Sequence, residues 1–567
     1  MIVEDNYQRW LSASNVDDET KKVLKAMSEE EKSDAFFKDV EFGTAGMRGI
    51  LGPGTNRMNV FTVNKATVAF ARYLLEKYSD AKERGVVISH DNRHMSREFT
   101  LSSAKTLNCF GIKVYIFDSL RPTPELSFAV RKSNAVGGIM ITASHNPKEY
   151  NGYKVYDENG CQLVPEKIER LLEILSELPN ELEIEIPNSQ KMAQTIVLGK
   201  DYDEDYINHV LSISLNPNLN KDGFKVVFTP QHGTSYVNAM EMFKIAGYDG
   251  IIPVTSQCSP DPDFSGTLSP NPEDKRAYIE AIKVAKDNNA DLIVMTDPDA
   301  DRVGVAYLSS KGNYELFTGN QSGALLIDYV LSQRKAQGKL SKNGVMFNTI
   351  VTSTLGSKIA ESYGVKVESL LTGFKFIGDR IAKYENSNGP HFEFGYEESY
   401  GCLVAPFARD KDGLQALLLL VEMTLYHLRN GKRLDQVMDN LQKQFGYYND
   451  TQYSIEFKGP LGLSNMQKLM KMLHDSPLKE IAGYKVIRVE DYLKQVSTTI
   501  EGKKEEITLP QSDVIKFFLE NEATVTVRPS GTEPKCKFYY GTVGKMPEEV
   551  ADLPKKLHEF ILKVIGF

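Results

Sequence analysis

Apolar residues in this chain gather in short blocks that end at turn-forming residues, separated by stretches with helical periodicity. Residues 86–89 (VVIS), 139–141 (IMI), 225–229 (KVVFT), 291–295 (DLIVM), 347–349 (FNT) and 524–527 (TVTV) each read as a strand. Between them, residues 1–40 are charged and helix-prone, and 63–78 read as an amphipathic helix. The longest apolar block, 414–428, is interrupted by Gln415, Glu422 and His427 and is too short to cross a bilayer, so it predicts a core helix. This alternation of α and β signals predicts an α/β protein with parallel-rich sheets covered by helices. A length of 567 residues suggests about four domains. The boundaries are expected at 1–205, 206–315, 316–445 and 446–567, the last domain being smaller, with short joints because no low-complexity linker is present.

Several strand ends carry chemistry. Residues 139–141 lead into Thr142-Ala143-Ser144-His145-Asn146-Pro147, and Pro147 with Asn151-Gly152 keeps the adjoining residues out of helix. Ser144 therefore sits on a tight loop beside His145, which can exchange protons, and Lys154, which can hold negative charge. In isolation the same residues would also suit a polar turn. Residues 291–295 lead into Asp297, Asp299 and Asp301, alternating carboxylates that can converge on a hard divalent cation, with Mg²⁺ the natural candidate. A calcium EF-hand would need Gly at loop position six and Glu at twelve, where this chain has Arg302 and Leu308. Residues 524–527 lead into Arg528-Pro529-Ser530-Gly531-Thr532, a guanidinium, two hydroxyls and a glycine turn suited to a phosphate dianion. Residues 395–401 (GYEESYG) set Glu397 and Ser399 between glycines, where they could bond sugar hydroxyls.

Taken together, TASHNP around Ser144, DPDADR at 297–302, GYEES at 395–399 and RPSGTEP at 528–534 resemble, in order, the four signature loops of the α-D-phosphohexomutase superfamily. FGTAGMRG at 42–49 is similar to the family's N-terminal loop that brings an arginine, here Arg48, to the phosphoserine. TGFK at 372–375 is similar to the loop that supplies a lysine, here Lys375. The likeness spans about residues 40 to 540 and is greatest to members that interconvert α-D-glucose 1-phosphate and D-glucose 6-phosphate. It implies four domains around a central cleft, three of mixed α/β sheets and a smaller C-terminal α+β one. Ser144 would be the phosphorylated residue and would hold one Mg²⁺ per chain with Asp297, Asp299 and Asp301. Glucose 1,6-bisphosphate would be the intermediate and activator. Arg48 and His145 would stabilise the moving phosphoryl group, and Lys154, with Lys375 as the alternative, would move the hydroxyl proton. Substrate contacts are implied at Thr44, Arg48, Asp301, Arg302, Thr372, Gly373, Lys375, Glu397, Ser399, Arg528, Ser530, Gly531 and Thr532. Tyr400, between Ser399 and Gly401, departs from the family's Glu-x-Ser-Gly pattern.

Composition narrows the alternatives. With 67 basic against 76 acidic residues the net charge is -9, which argues against a nucleic-acid partner. Five cysteines without C-x-x-C spacing argue against disulfides and fit a reducing cytoplasm. No basic-then-apolar segment at the start suggests secretion, and no membrane association is expected. A serine hydrolase would frame its nucleophile G-x-S-x-G, but Ala143 and His145 flank Ser144. A P-loop kinase would need Gly-Lys followed by Ser or Thr, and no such run occurs. The expected partner is a small sugar phosphate, with the chain monomeric or dimeric. Mannose phosphate or pentose phosphate mutases and sugar-bisphosphate synthases are the nearer alternatives, and a noncatalytic sugar-phosphate binding protein the distant one.

Overall fold

The apolar blocks become central strands where helices cover both of their faces. In the computed structural model, which describes residues 2–43, 46–187, 192–457, 462–530 and 535–565, the strands Val86–His90, Gly137–Ile141 and Leu292–Thr296 are buried along their whole length. That is why they read as continuous apolar runs rather than alternating ones. The chain divides into two units. The first comprises Met1–Thr318, Phe374–Gly395 and Ser399–Asn430, and the second Gly319–Gly373, Tyr396–Glu398 and Gly431–Phe567.

The first unit holds two sheets. A seven-stranded sheet runs in the order Phe42–Gly43, Gly46–Ile50, Tyr150–Asp157, Gly137–Ile141, Val86–His90, Val114–Phe117, Thr195–Leu198. Val86–His90 is parallel to Gly137–Ile141 and Val114–Phe117, whereas Tyr150–Asp157 returns antiparallel and pairs Lys154 with Met140. The helix Val60–Lys77 covers this sheet. Residues from Thr62 to Leu74 are mostly buried, so it is more enclosed than an amphipathic surface helix. The acidic, helix-prone N-terminus forms three helices, Ile2–Ser12, Asp18–Ala26 and Glu29–Phe36, the last opened by a Ser28/Glu31 capping box. Trp10 and Phe36 lie in their core, and Trp10 Nε1 donates to Glu181 at 2.6 Å.

A five-stranded sheet runs Tyr314–Leu316, Val303–Leu308, Leu292–Thr296, Val226–Thr229, Ile251–Pro253. The apolar block at 414–428 is the helix Gly413–Arg429, buried from Gly413 to Leu425, with Asp412 capping the amides of Leu414 and Gln415. No helix among the described residues is long and apolar enough to cross a membrane.

The second unit contains the parallel pair Gly344–Thr349 and Lys366–Leu370 with the helices Gly319–Ala336 and Thr354–Ser362. Its C-terminal part is an antiparallel sheet, in the order Thr451–Glu456, Lys535–Gly541, Thr524–Pro529, Ile515–Leu519, Tyr484–Asp491, Val496–Thr499, Lys504–Glu506. The helices Gly462–Asp475 and Leu553–Ile565 share its core. The architecture is thus α/β for most of its length, as the alternating pattern predicts, with an α+β C-terminal part, as the family resemblance implies.

Candidate active site

Ser144 is presented by a sharp turn. Its φ of 51° lies in the left-handed region that a side chain rarely adopts, and the residue is buried. The turn is tied locally: Ser144 N–H donates to Thr142 Oγ1 at 2.8 Å, and Asn146 N–H to the carbonyl of Ala143 at 3.1 Å. Gly152 lets the returning strand pass closely, since a Cβ there would stand 2.4 Å from the carbonyl oxygen of Thr142. Ser144 Oγ donates to Asp297 Oδ2 at 2.7 Å and lies 3.2 Å from His145 Nδ1. Desolvation, and after it the charges of Arg302 and Arg48, hold the His145 pKa well below its ordinary value. The neutral ring can therefore accept or donate through one nitrogen without adding charge.

Asp297, Asp299 and Asp301 are buried, and their oxygens lie within 4.8 Å of one another. Ala300 takes φ 55°, which lets the intervening backbone turn while Asp297 Oδ1 accepts from the amides of Asp301 (3.1 Å) and Arg302 (3.0 Å). Thr123, at the start of the helix Thr123–Lys132, fixes Asp299 twice. Its N–H donates to the Asp299 carbonyl at 2.9 Å and its Oγ1 to Oδ2 at 2.9 Å.

Two ammonium groups face the triad. Lys154 Nζ is 3.0 Å from Asp299 Oδ2 and 3.8 Å from Asp301 Oδ2, and Lys411 Nζ is 3.0 Å from Asp301 Oδ2. Burial, then the charges of Asp301 and Asp299, push Asp297 well above the carboxylate range. For Asp301 burial acts the same way, but Lys411 and Lys154 outweigh it and hold its pKa low. Oδ1 of Asp299 and Oδ1 of Asp301 are buried with no hydrogen-bond partner among the described residues. Hard oxygen donors with vacant lone pairs, already arranged around a point, fit a small divalent cation.

Other candidates from the sequence lie on several elements of the two units. Arg48 lies on the strand Gly46–Ile50 and its Nη1 donates to Asn146 Oδ1 of the serine loop at 3.0 Å. Arg302 pairs with Glu273 at 3.0 Å. Lys375 is buried in the first turn of the helix Phe374–Asn386. Ser399 follows the second unit's Glu397, whose carboxylate accepts from Gly373 N–H at 2.9 Å, so two loops read separately from the sequence meet. Thr372 Oγ1 is buried there without a partner among the described residues. Tyr400 directs its hydroxyl to the carbonyl of Phe317 at 3.3 Å, and its own carbonyl accepts from Val303 N–H. Its bulk is thus used in packing between chain segments. Arg528 lies near the end of the strand Thr524–Pro529, half-buried, with Nη1 3.4 Å from Tyr539 Oη, and Ser530 N–H donates to the Lys535 carbonyl. Thr44, Gly531 and Thr532 lie outside the described residues.

Residues 39–181, 204–309 and 318–445 match the family models of phosphoglucomutase/phosphomannomutase α/β/α domains I, II and III. A phosphoglucomutase from Staphylococcus epidermidis is 39% identical over 90% of this chain and 92% of its own length. The chain belongs to the phosphoglucomutase/phosphomannomutase family. A Staphylococcus aureus phosphoglucomutase is 37% identical over 97% of this chain and 98% of its own. In fold, the chain resembles the open form of parafusin, a Paramecium phosphoglucomutase, with a TM-score of 0.67 at 19% identity over 92% of this chain and 94% of that one. Against this family background, sequence reading missed Lys411 and Thr123. Lys411 left a faint signal, since the run Arg409-Asp410-Lys411-Asp412 places four charges directly before an apolar helix. Thr123 left none.

Proposed function

We propose that this protein is a phosphoglucomutase that interconverts α-D-glucose 1-phosphate and D-glucose 6-phosphate through a phosphoserine at Ser144 and a glucose 1,6-bisphosphate intermediate. The observation that carries this reading is the 2.7 Å hydrogen bond from Ser144 Oγ to Asp297, one of three clustered buried carboxylates. The Ser144 hydroxyl is held directly against these carboxylates. It is well suited to carrying a phosphoryl group whose charge a cation offsets.

In this reading Asp297, Asp299 and Asp301, together with Ser144, would hold Mg²⁺. The chemistry supplied by such a cation is withdrawal of charge from the phosphoryl group and stabilisation of the departing serine oxygen. Ser144 gives its phosphoryl group to a sugar hydroxyl and recovers one from the other end of the bisphosphate. Arg48 and neutral His145 stabilise charge on the group in transit, and Lys154 moves the proton of the sugar hydroxyl, with Lys375 the second candidate. Thr372, Gly373, Glu397, Ser399 and Arg302 contact the sugar phosphate, and Arg528 and Ser530 hold the phosphate that is not reacting. Domain divisions near residues 205, 315 and 445 belong to the same reading. So does a cytoplasmic setting, which the five free cysteines support.

The test compares turnover of glucose 1-phosphate, mannose 1-phosphate and ribose 1-phosphate in one preparation, with the intact mass read in parallel. Glucose 1-phosphate is expected to react fastest, and part of the purified protein should carry one phosphoryl group on Ser144. Ser144→Ala should fold normally and show no turnover. Full activity in that variant would overturn the mechanism, and faster turnover of another sugar would reassign the substrate.

A further inference from the structure

We infer that Arg93 is a positioning residue for the phosphoryl-carrying serine, a strut that holds the 144–150 loop by its backbone carbonyls. The inference rests on the phosphotransfer reading above. Arg93 lies just after the strand Val86–His90, with its side chain wholly buried. Its Nη2 donates to the carbonyls of Ser144 (2.6 Å) and Asn146 (2.5 Å), and its Nη1 to those of Pro147 (2.7 Å) and Tyr150 (3.1 Å). One guanidinium thus gathers four carbonyls from seven consecutive residues.

The strut is itself fixed on three sides. Asp91 supplies the counter-charge, its Oδ2 3.2 Å from Arg93 Nε, while its Oδ1 accepts from Arg93 N–H (3.0 Å) and Ser96 Oγ (2.8 Å). The ring of Phe264 covers the guanidinium at 5.1 Å. Asn151, at the far end of the loop, donates to the carbonyl of His94 and to Ser96 Oγ. Ser96 therefore ties the loop's exit to the carboxylate that orients the arginine.

Two features make this more than packing. Ser144 has a left-handed backbone, which persists only where its surroundings over-determine it, and its own carbonyl is one of the four acceptors. A serine that must receive and release a dianion in alternate half-reactions gains from a backbone that stays put, because misplacement by about 1 Å can cost about a hundredfold in rate. The contact set also selects arginine over lysine. A planar fork reaches four acceptors at fixed angles, whereas an ammonium is a point charge with three donors.

Arg93→Lys tests this, since it keeps the charge and the pairing with Asp91. Expected are a kcat lower by about a hundredfold, a KM for glucose 1-phosphate within about threefold of the unmodified enzyme, and a thermal midpoint within a few degrees. A kcat within threefold of the unmodified enzyme would overturn the inference, as would a rate loss matched by an equal loss of folded protein. Hydrogen exchange of the unmodified protein is read without turnover. Peptides spanning 142–150 should exchange as slowly as those of the strand Gly137–Ile141, and exchange at the rate of an unstructured chain would overturn the strut even if Arg93→Lys fails to fold. An unmodified enzyme that turns over no sugar phosphate would instead sink the functional reading, so the two failures are distinguishable.

Discussion

Charge compensation among a few side chains decides what the site can hold. Three buried carboxylates within 4.8 Å would repel one another, yet Lys154 and Lys411 approach two of them at 3.0 Å. Removing one partner of a buried pair leaves an uncompensated charge, which typically costs about 3–5 kcal/mol. Lys411→Met should therefore lower the unfolding free energy in metal-free buffer by about that amount, measured by urea denaturation. Saturating Mg²⁺ should recover part of the loss, because a cation bound to the native state replaces the missing charge. An unchanged urea midpoint in chelator would show that Lys411 does not balance the triad.

At the level of elements, the site is a set of strand ends steadied by neighbouring turns. The loop of the aspartate triad leans on the turn after Val226–Thr229. Thr234 N–H and Oγ1 both donate to the carbonyl of Pro298, and a Cβ on Gly233 would stand 2.3 Å from that oxygen. In the C-terminal part the helix Gly462–Asp475 is pinned by His474, whose ring nitrogens lie 2.9 Å from Asp491 and 2.9 Å from Asp513, with Lys494 3.5 Å from Asp491. Burial disfavours the charged ring, but the bonds to Asp513 and Asp491 outweigh it and raise the His474 pKa. A raised folded pKa contributes stability that is fully present below the unfolded value of about 6.5 and is lost as pH rises through the folded one. The stability difference between the unmodified protein and His474→Gln should accordingly shrink as pH rises above about 6.5. A gap that widens with pH would refute the charged pairing.

Across the whole molecule, the proposed phosphoserine and the proposed phosphate anchor belong to different compact units. Arg528→Ala should therefore raise KM for glucose 1-phosphate about tenfold to a hundredfold, the range expected for losing a charge-assisted contact of about 1.5–3 kcal/mol, while Ser144 phosphorylation survives. Unchanged KM would remove Arg528 from the anchor. The loops at Ser144 and Asp297 were legible in the sequence because their signals are local: an apolar run long enough for a strand, then Pro, Gly, Asn or Asp forcing a turn. Ser144, Asp297 and Arg528 could be placed on strand ends from a few neighbours each. The helix Gly413–Arg429 could be placed in a core because its charges were too few to face water. Which charges meet was not legible. Thr123 and Asp299 are 176 positions apart, Lys154 and Asp299 are 145 apart, and Lys411 reaches Asp301 from the turn before a distant helix. Short-range sterics fix the conformation of a turn from its own residues, but electrostatic balance depends on distance in space, which only the packing of sheets and helices sets. The sequence by itself determined the reactive groups and the turns that present them. The tertiary structure alone decided the two lysines that neutralise the triad and the arginine that holds the serine loop.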